Sequence, residues 1–320
     1  MIRLSSIGDI VLTTPVLRAL KTQLEGETEV HYFTKKAFEP IIAANPHVDH
    51  VHTLGENLTK DLDELEKIDF DYVIDLHKNY RSSLIKKRLK TLHFTVDKAN
   101  FQKWMMVNLR QNKTGVPHIV DRYMATLNAF GVTDDKHGLD YIIPKNEMVN
   151  PRALGLEGRY LAVAVGANHD GKVIPMETLE QVIQGCKSPV ALLGDQNDHD
   201  RVPESLNQMS HVANLCGKLS INQSASVVAQ SEVVLAGDTG LMHIAAAFSK
   251  KIVSIWGCTS PLLGMYPYRA HDSSVMVEPN SRSRRPCSKL GNRCKYGSQI
   301  CISTIPAGDI LNPVLRLLDE

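Results

Sequence analysis

The sequence of 320 residues is defined first by what it lacks. No apolar run approaches the roughly 18 residues that a bilayer-spanning helix needs. The opening residues, MIRLSSIGD, have no long apolar core of the kind a secretory leader carries. The chain is therefore expected to stay in the cytoplasm. Charge of one sign is also missing. Thirty-six Lys and Arg oppose 35 Asp and Glu, for a net charge of +1. This gives no global pull towards nucleic acid or a membrane surface, so a site for a charged partner must be a local patch. There is no CxxC pair, hence no structural-zinc spacing, and the six cysteines read as thiols in a reducing compartment. Cys287, Cys294 and Cys301 stand seven residues apart. With His271 they could in principle hold zinc, but buried or surface thiols are the favoured reading. Internal repeats, low-complexity segments and a GxxxxGK[ST] phosphate loop are absent.

What is present alternates between short apolar runs and helical periodicity. EVHYFT (29–34), VDHVHTL (48–54), DYVIDLH (71–77) and TLHFTV (91–96) read as strands. VPHIVDRYMATLNAFGV (116–132) reads as one amphipathic helix ended by Gly131. A polar stretch with Pro144 and Pro151 follows and is taken as a domain boundary. The pattern then resumes with strands in YLAVAVGA (160–167), PVALLGD (189–195), SEVVLAGD (231–238) and KIVSIWG (251–257). Two such strand–helix series predict an α/β chain of two doubly wound parallel domains facing a central cleft, with ligands at the carboxyl ends of the strands.

The residues after each strand are therefore the candidates. In LAGDTGLMHIAAAF, Asp238 and Thr239 can cap a helix beginning at Gly240 or Leu241. Bare N–H groups there suit phosphate, although an ordinary strand–cap–helix junction fits equally well, and His243 one turn on reads as packed. In VGANHDGKVIP (165–175), Lys172 could reach a phosphate or be a solvated loop lysine. In LLGDQNDHD (192–200), Asp195 or Asp198 could accept from a ribose, and the DHD triplet is weak ground for a metal. Gly257 and Thr259 close a strand in a manner that suits backbone contact with a nucleotide. In the first half, Lys78 and Arg81 follow a buried strand and are better placed to bind an anion than Lys86, Lys87 and Arg88 further along the helix.

The segment RLSSIGDIVLTTPVLRALK (3–21) is the most unusual. Only Met1 to Leu4 precede its turn residues, so the first strand is either very short or partly missing. Gly8 is expected to turn the backbone tightly, Asp9 to project into the cleft, and Thr14 to cap the helix that Pro15 starts.

Together these segments resemble glycosyltransferase family 9, whose best known members are the ADP-heptose:lipopolysaccharide heptosyltransferases. The resemblance is carried by SSIGDIVLTTPVLRALK, GANHDGKVIPMETL, LLGDQND and the run from LCGKLS to SIWGCTSP. It implies a GT-B fold of two Rossmann-like domains. An acceptor-binding domain would span 1–150 and a nucleotide-sugar domain 151–305, with the helix at 306–320 crossing back to the first. It implies an inverting transfer that requires no metal. Asp9 matches the proposed general base, and Lys172 the lysine on the donor phosphate. Asp238, Thr239, Gly240 and His243 match the donor segment D-[ST]-G-x-x-H, with Leu241, Gly257 and Thr259 beside it. Asp198 falls near a ribose-binding acid. Gly8, Thr13 and Thr14 go with Lys78 and Arg81 to the acceptor side. Where the family commonly reads K-R-W-P, this chain has Lys172-Val173-Ile174-Pro175.

The implied donor is ADP-heptose or another nucleotide-sugar, and the implied acceptor an anionic lipid A/core saccharide. Nucleic acid is not expected, and a monomer is. Peripheral contact with the inner membrane would run through the stretch at 78–110, which equally suits an ordinary domain surface with buried aromatics. Two other readings fit the same fold: a UDP-sugar 2-epimerase, which needs no acceptor, and a non-catalytic nucleotide-binding protein.

Overall fold

The computed structural model describes residues 1–55, 58–111, 114–280, 285–295 and 300–320. It forms two compact units. The first comprises Met1–Asn100 and Pro117–Ile142, the second Phe101–Val116 and Ile143–Glu320. These limits differ from the expected 1–150, 151–305 and 306–320, for three local reasons. Residues 143–150 bond to the second unit: Val149 N donates to Ser226 Oγ at 3.0 Å, and Ser220 Oγ to Glu147 at 2.7 Å. The excursion 101–116 does likewise, with Val116 N donating to Leu262 O and Lys295 Nζ to Val107 O. The terminal helix Ala307–Asp319, expected to cross back to the first domain, packs on helix Met176–Gly185 and on strands of the second unit. A side chain at Gly185 would collide with Leu311, so glycine there admits the helix.

In the first unit, β1 (His31–Lys35) pairs in parallel with β2 (His50–Leu54), and β3 (Tyr72–Asp75) with β4 (Leu92–Thr95). Ile2 joins the two pairs through parallel bridges to Phe33 and Asp75. Ile2 N donates to Ile74 O at 2.8 Å and Arg3 N to Phe33 O at 3.1 Å. Met1–Leu4 thus lie at the centre, giving the order β2, β1, Met1–Leu4, β3, β4. Ile2, Leu4, Phe33, Val73 and Ile85 pack into its core. The predicted helix at 116–132 appears as an α-helix at Ile119–Met124 that tightens into a 3₁₀ segment at Ala125–Phe130. It ends where expected, at Gly131 with φ of 71°.

The second unit holds one parallel sheet. Its strands are β5 (Leu161–Ala164), β6 (Val190–Leu193), β7 (Val212–Asn214), β8 (Val233–Gly237), β9 (Lys251–Ile255) and β10 (Val275–Val277). They lie in the order β10-β9-β8-β5-β6-β7. Counted from β5 as the first, this is the 3-2-1-4-5-6 order of a dinucleotide-type sheet. The strands read as unbroken apolar runs because helices cover both faces. Leu161, Val163, Leu192, Val233, Leu235 and Val253 are fully buried, each contributing about 1.5–3 kcal/mol of burial. Helix Ile221–Gln230 and strands β7 and β10 were not anticipated. The helix had a legible signal, since Ser220 and Gln223 form a reciprocal capping box.

Candidate active site

In each unit the strand order reverses once, and ligands of such sheets bind at the reversal, beyond the carboxyl ends of the strands. In the second unit the reversal lies between β5 and β8. The chain after β5 reaches a 3₁₀ turn at Asp170–Lys172, and the chain after β8 gives Asp238 and then helix Gly240–Ala247. Lys172 Nζ and Asp238 Oδ2 meet at 2.8 Å, with their side chains 17% and 8% exposed. The backbones are equally close: a side chain at Gly237 would lie 2.4 Å from Lys172 O.

Two hydroxyls here lack a partner. Thr239, at the N-cap of helix Gly240–Ala247, makes no capping bond, and its Oγ1 is buried and unbonded. Thr259 Oγ1 is in the same condition. A buried hydroxyl without a bond costs about 1–3 kcal/mol, and both oxygens lie below the accessible surface. Gly240 and the half-buried Leu241 open the helix, and His243 is buried one turn on. The array offers a helix N-terminus and one ammonium, paired in this structure with the Asp238 carboxylate, and these two positive groups suit a diphosphate.

Other predicted donor residues sit differently. Gly257 does not offer open backbone. Gly171 O and Ile302 would each lie 2.7 Å from a side chain there, and its carbonyl accepts from Arg285 Nε. Of the two acids after β6, Asp195 is the exposed N-cap of helix Gln196–Arg201. Asp198 is buried in its first turn, and the two exchange backbone bonds at 3.0 Å. Gly166 and Gly194 leave room for the Asp198 carboxylate, because a side chain at either would lie within 2.5 Å of it. Burial, with Asp195 beside it, pushes the Asp198 carboxyl above its usual range. Arg201 lies 3.7 Å from Asp198 and 3.9 Å from Asp170, linking this acid to the Lys172 turn. Sequence reasoning passed over Arg201, and also Gly291, whose added side chain would press on Lys172 Cγ at 2.9 Å.

In the first unit the reversal lies between Met1–Leu4 and β3. Here the expected loop is a short helix, Ile7–Val11, with Gly8 inside it rather than at a turn. Asp9 is the third residue of that helix and forms a capping box with Ser6. Arg3 Nη2 pairs with Asp9 Oδ2 at 2.6 Å, and Ser6 Oγ donates to the same oxygen at 3.0 Å. No group among the described residues bonds Oδ1. Burial opposes the charge on Asp9, but Arg3 and Ser6 outweigh it and hold the carboxyl below its usual range. Arg3 is itself fixed, donating to Ser5 O at 2.8 Å and Leu76 O at 2.7 Å. This partner of Asp9 was missed, though it lies six residues away at the strand end.

Thr13 and Thr14, expected near an acceptor, are buried with their hydroxyls used. Thr13 Oγ1 bonds Ile10 O and Tyr32 Oη. Thr14 Oγ1 donates to Val11 O and accepts from Asp140 N. They build the turn between two helices, and Thr13 rather than Thr14 is at the N-cap. Lys78 and Arg81 are exposed, and among the described residues neither joins an ion pair. By contrast Lys86 turns inward to buried Asp75 at 2.9 Å, and Arg88 pairs with Asp63 and Glu66. Two further groups belong here. Burial, then Arg3 and Lys98, pushes His77 down to about 4, so it is neutral at pH 7 with its Nδ1 unbonded. Burial, then Arg3, lowers Lys98.

A family model described as glycosyltransferase family 9 (heptosyltransferase) matches residues 59–294, well over half of the chain. The chain belongs to glycosyltransferase family 9. The glycosyltransferase is 20% identical over 344 residues to the lipopolysaccharide core heptosyltransferase OpsX of Haemophilus influenzae, covering 99% of this chain and 96% of that protein. Among solved structures it is similar to a family 9 glycosyl transferase from Veillonella parvula, with TM-score 0.79, 20% identity and coverage of 99% and 96%. It is also similar to the E. coli ADP-heptose LPS heptosyltransferase II, with TM-score 0.73, 20% identity and coverage of 99% and 97%. The glycosyltransferase therefore has the GT-B fold expected from its sequence, built from two Rossmann-like units.

Proposed function

We propose that this glycosyltransferase transfers heptose from ADP-heptose onto a hydroxyl of a lipopolysaccharide core acceptor, with inversion at the anomeric carbon. The observation that carries the reading is the Lys172–Asp238 pair at 2.8 Å, flanked by the unbonded hydroxyls of Thr239 and Thr259. The donor's diphosphate meets Lys172 and the N-terminus of helix Gly240–Ala247. As the glycosidic bond to the diphosphate breaks, negative charge grows on the leaving oxygens. Lys172 and the N-terminus of helix Gly240–Ala247 stabilise it. Asp238 keeps Lys172 oriented while the site is empty.

Asp9 is the general base. Its Oδ2 is held by Arg3 and Ser6, and its unbonded Oδ1 accepts the proton of the attacking hydroxyl. Arg3 makes Asp9 a weaker base but keeps it ionised, which suffices because ADP is a good leaving group. Lys78, Arg81 and Lys98 give the acceptor's anionic groups a positive approach.

We place acceptor-lipid contact on helix Asn100–Asn108. Phe101 and Trp104 are stacked there with centroids 6.4 Å apart, and both are exposed rather than buried. No helix among the described residues is long and apolar enough to cross a membrane, so this contact would be peripheral.

Purified chain with ADP-heptose and a heptose-deficient core acceptor tests the reading. Product formation that is lost in Asp9→Ala is expected. Turnover of donor alone to an epimer, or preference for a UDP-sugar, would overturn it, as would full activity in Asp9→Ala.

A further inference from the structure

The second unit contains a thiol cluster that the transfer reaction does not use. Cys258 follows β9, and Cys287 and Cys294 come from the segment beyond β10. Their three sulfurs lie within 4.8 Å of one another. The sequence had grouped Cys287, Cys294 and Cys301 with His271. Instead His271 is exposed, with Nδ1 accepting from Ser273 N, and Cys258 takes its place. Cys301 is buried on the short helix Ile300–Ser303 and lies outside this group of three. All six cysteines of the chain are thiols.

Three converging thiols, two of them buried, are poor hydrogen-bonding partners for one another. They are, however, three of the four ligands that a soft tetrahedral ion takes, and water can supply the fourth. A zinc–sulfur distance of about 2.3 Å places ligand sulfurs about 3.8 Å apart, so the three need to close by no more than about 1 Å. Residues 285–295, which carry Cys287 and Cys294, form no strand or helix, and such a stretch is the kind of chain a structural metal fixes.

We propose that Cys258, Cys287 and Cys294 together bind one thiophilic divalent ion, Zn²⁺ or Fe²⁺, as a structural site with water in the fourth position. Binding displaces the three thiol protons to solvent and leaves a site of net charge −1. The Arg285 guanidinium braces the chain around Cys258, donating to the carbonyls of Trp256, Gly257 and Thr259, and pairs with Glu278 at 2.9 Å.

The ion would brace the donor loop from behind. Cys258 N donates to Gly171 O at 3.0 Å, and Cys287 N to Cys258 O at 2.8 Å. A side chain at Gly171 would lie 2.7 Å from Cys258 Sγ, so only glycine lets the Lys172 turn rest on the cluster. Gly291, between Cys287 and Cys294, covers the other side of Lys172. Metal loss therefore acts on the Lys172 turn without removing any group that touches the donor. This last consequence rests on the proposed donor site, whereas metal binding itself does not.

The test is metal analysis of the full chain, purified under reducing, chelator-free conditions. About one equivalent of zinc or iron per chain is expected, released by a mercurial thiol reagent. Restoring the stripped chain with Co²⁺ should give the intense visible bands of tetrahedral cobalt thiolate. Cys258→Ser and Cys294→Ser should lose the metal, while His271→Ala and Cys186→Ala retain it. Raised donor KM with nearly unchanged kcat in the stripped chain would fit the bracing role. Wild-type chain that carries no metal and gives no cobalt bands overturns the site, as does a native disulfide among these three cysteines. Both readings need only the wild-type protein, so a variant that fails to fold leaves the proposal decided.

Discussion

Replacing Lys172 by methionine should reveal two separate energies. The side chain of Asp238 is 8% exposed, and Lys172 Nζ is its one bonding partner among the described residues. Removing one member of a fully buried pair costs about 3–5 kcal/mol, because the remaining charge is left desolvated. Lys172 is 17% exposed, so water can enter, and about 2–3 kcal/mol is the better expectation. For a unit of roughly 200 residues this lowers Tm by about 4–10 °C. Asp238→Asn should cost less, because an amide is neutral and the lysine can hydrate. The double variant should recover most of the stability lost in Lys172→Met, giving a coupling of about 2 kcal/mol. Catalysis should not recover. The charge-assisted bond to the donor phosphate, worth about 1.5–3 kcal/mol, is gone in both, a loss of about 10- to 150-fold in kcat/KM. Calorimetry and steady-state kinetics on the four proteins decide it. Additive stabilities would refute the pairing. A kcat/KM within threefold of wild type in Lys172→Met would refute the phosphate contact.

Three further outcomes follow from the geometry. Asp9 has a depressed folded pKa, so its contribution to stability is present above the unfolded carboxylate value and is lost as pH falls through the folded one. Arg3→Met leaves burial unopposed by the guanidinium and should move the acid limb of the pH–kcat/KM profile to higher pH; an unmoved limb would exclude Arg3 as the group that keeps Asp9 ionised. Thr13→Val removes two buried hydrogen bonds and should cost about 1–3 kcal/mol in urea unfolding, with KM for acceptor unchanged, whereas a selective rise in that KM would return Thr13 to the acceptor site. Gly291→Ala, at φ of 75° and with the new carbon 2.9 Å from Lys172 Cγ, should lower Tm and raise donor KM together, and a silent substitution would show that the Gly291 segment does not press on Lys172.

The sequence by itself determined the strand–helix alternation, the parallel sheets and the strand–helix junctions that carry the candidate groups. Buried parallel strands must be continuous apolar runs. The turns after them must carry caps and glycines, and both are local signals. Resemblance to the family, rather than local pattern, singled out Asp9, Lys172 and Asp238–His243 among the many polar groups at strand ends. What only the tertiary structure decided was the partner of each group. Asp9 is tied to Arg3 across a strand end, Lys172 to Asp238 across two strands, and Lys86 to Asp75 rather than to solvent. Thr13 and Thr14 turn inward, Gly257 packs on Gly171, and Cys258 joins cysteines about thirty residues onward. Sheet order sets these pairings, since it brings together strand ends far apart in the chain. A side chain's charge, accessibility and bonding depend on those neighbours, which no local pattern encodes.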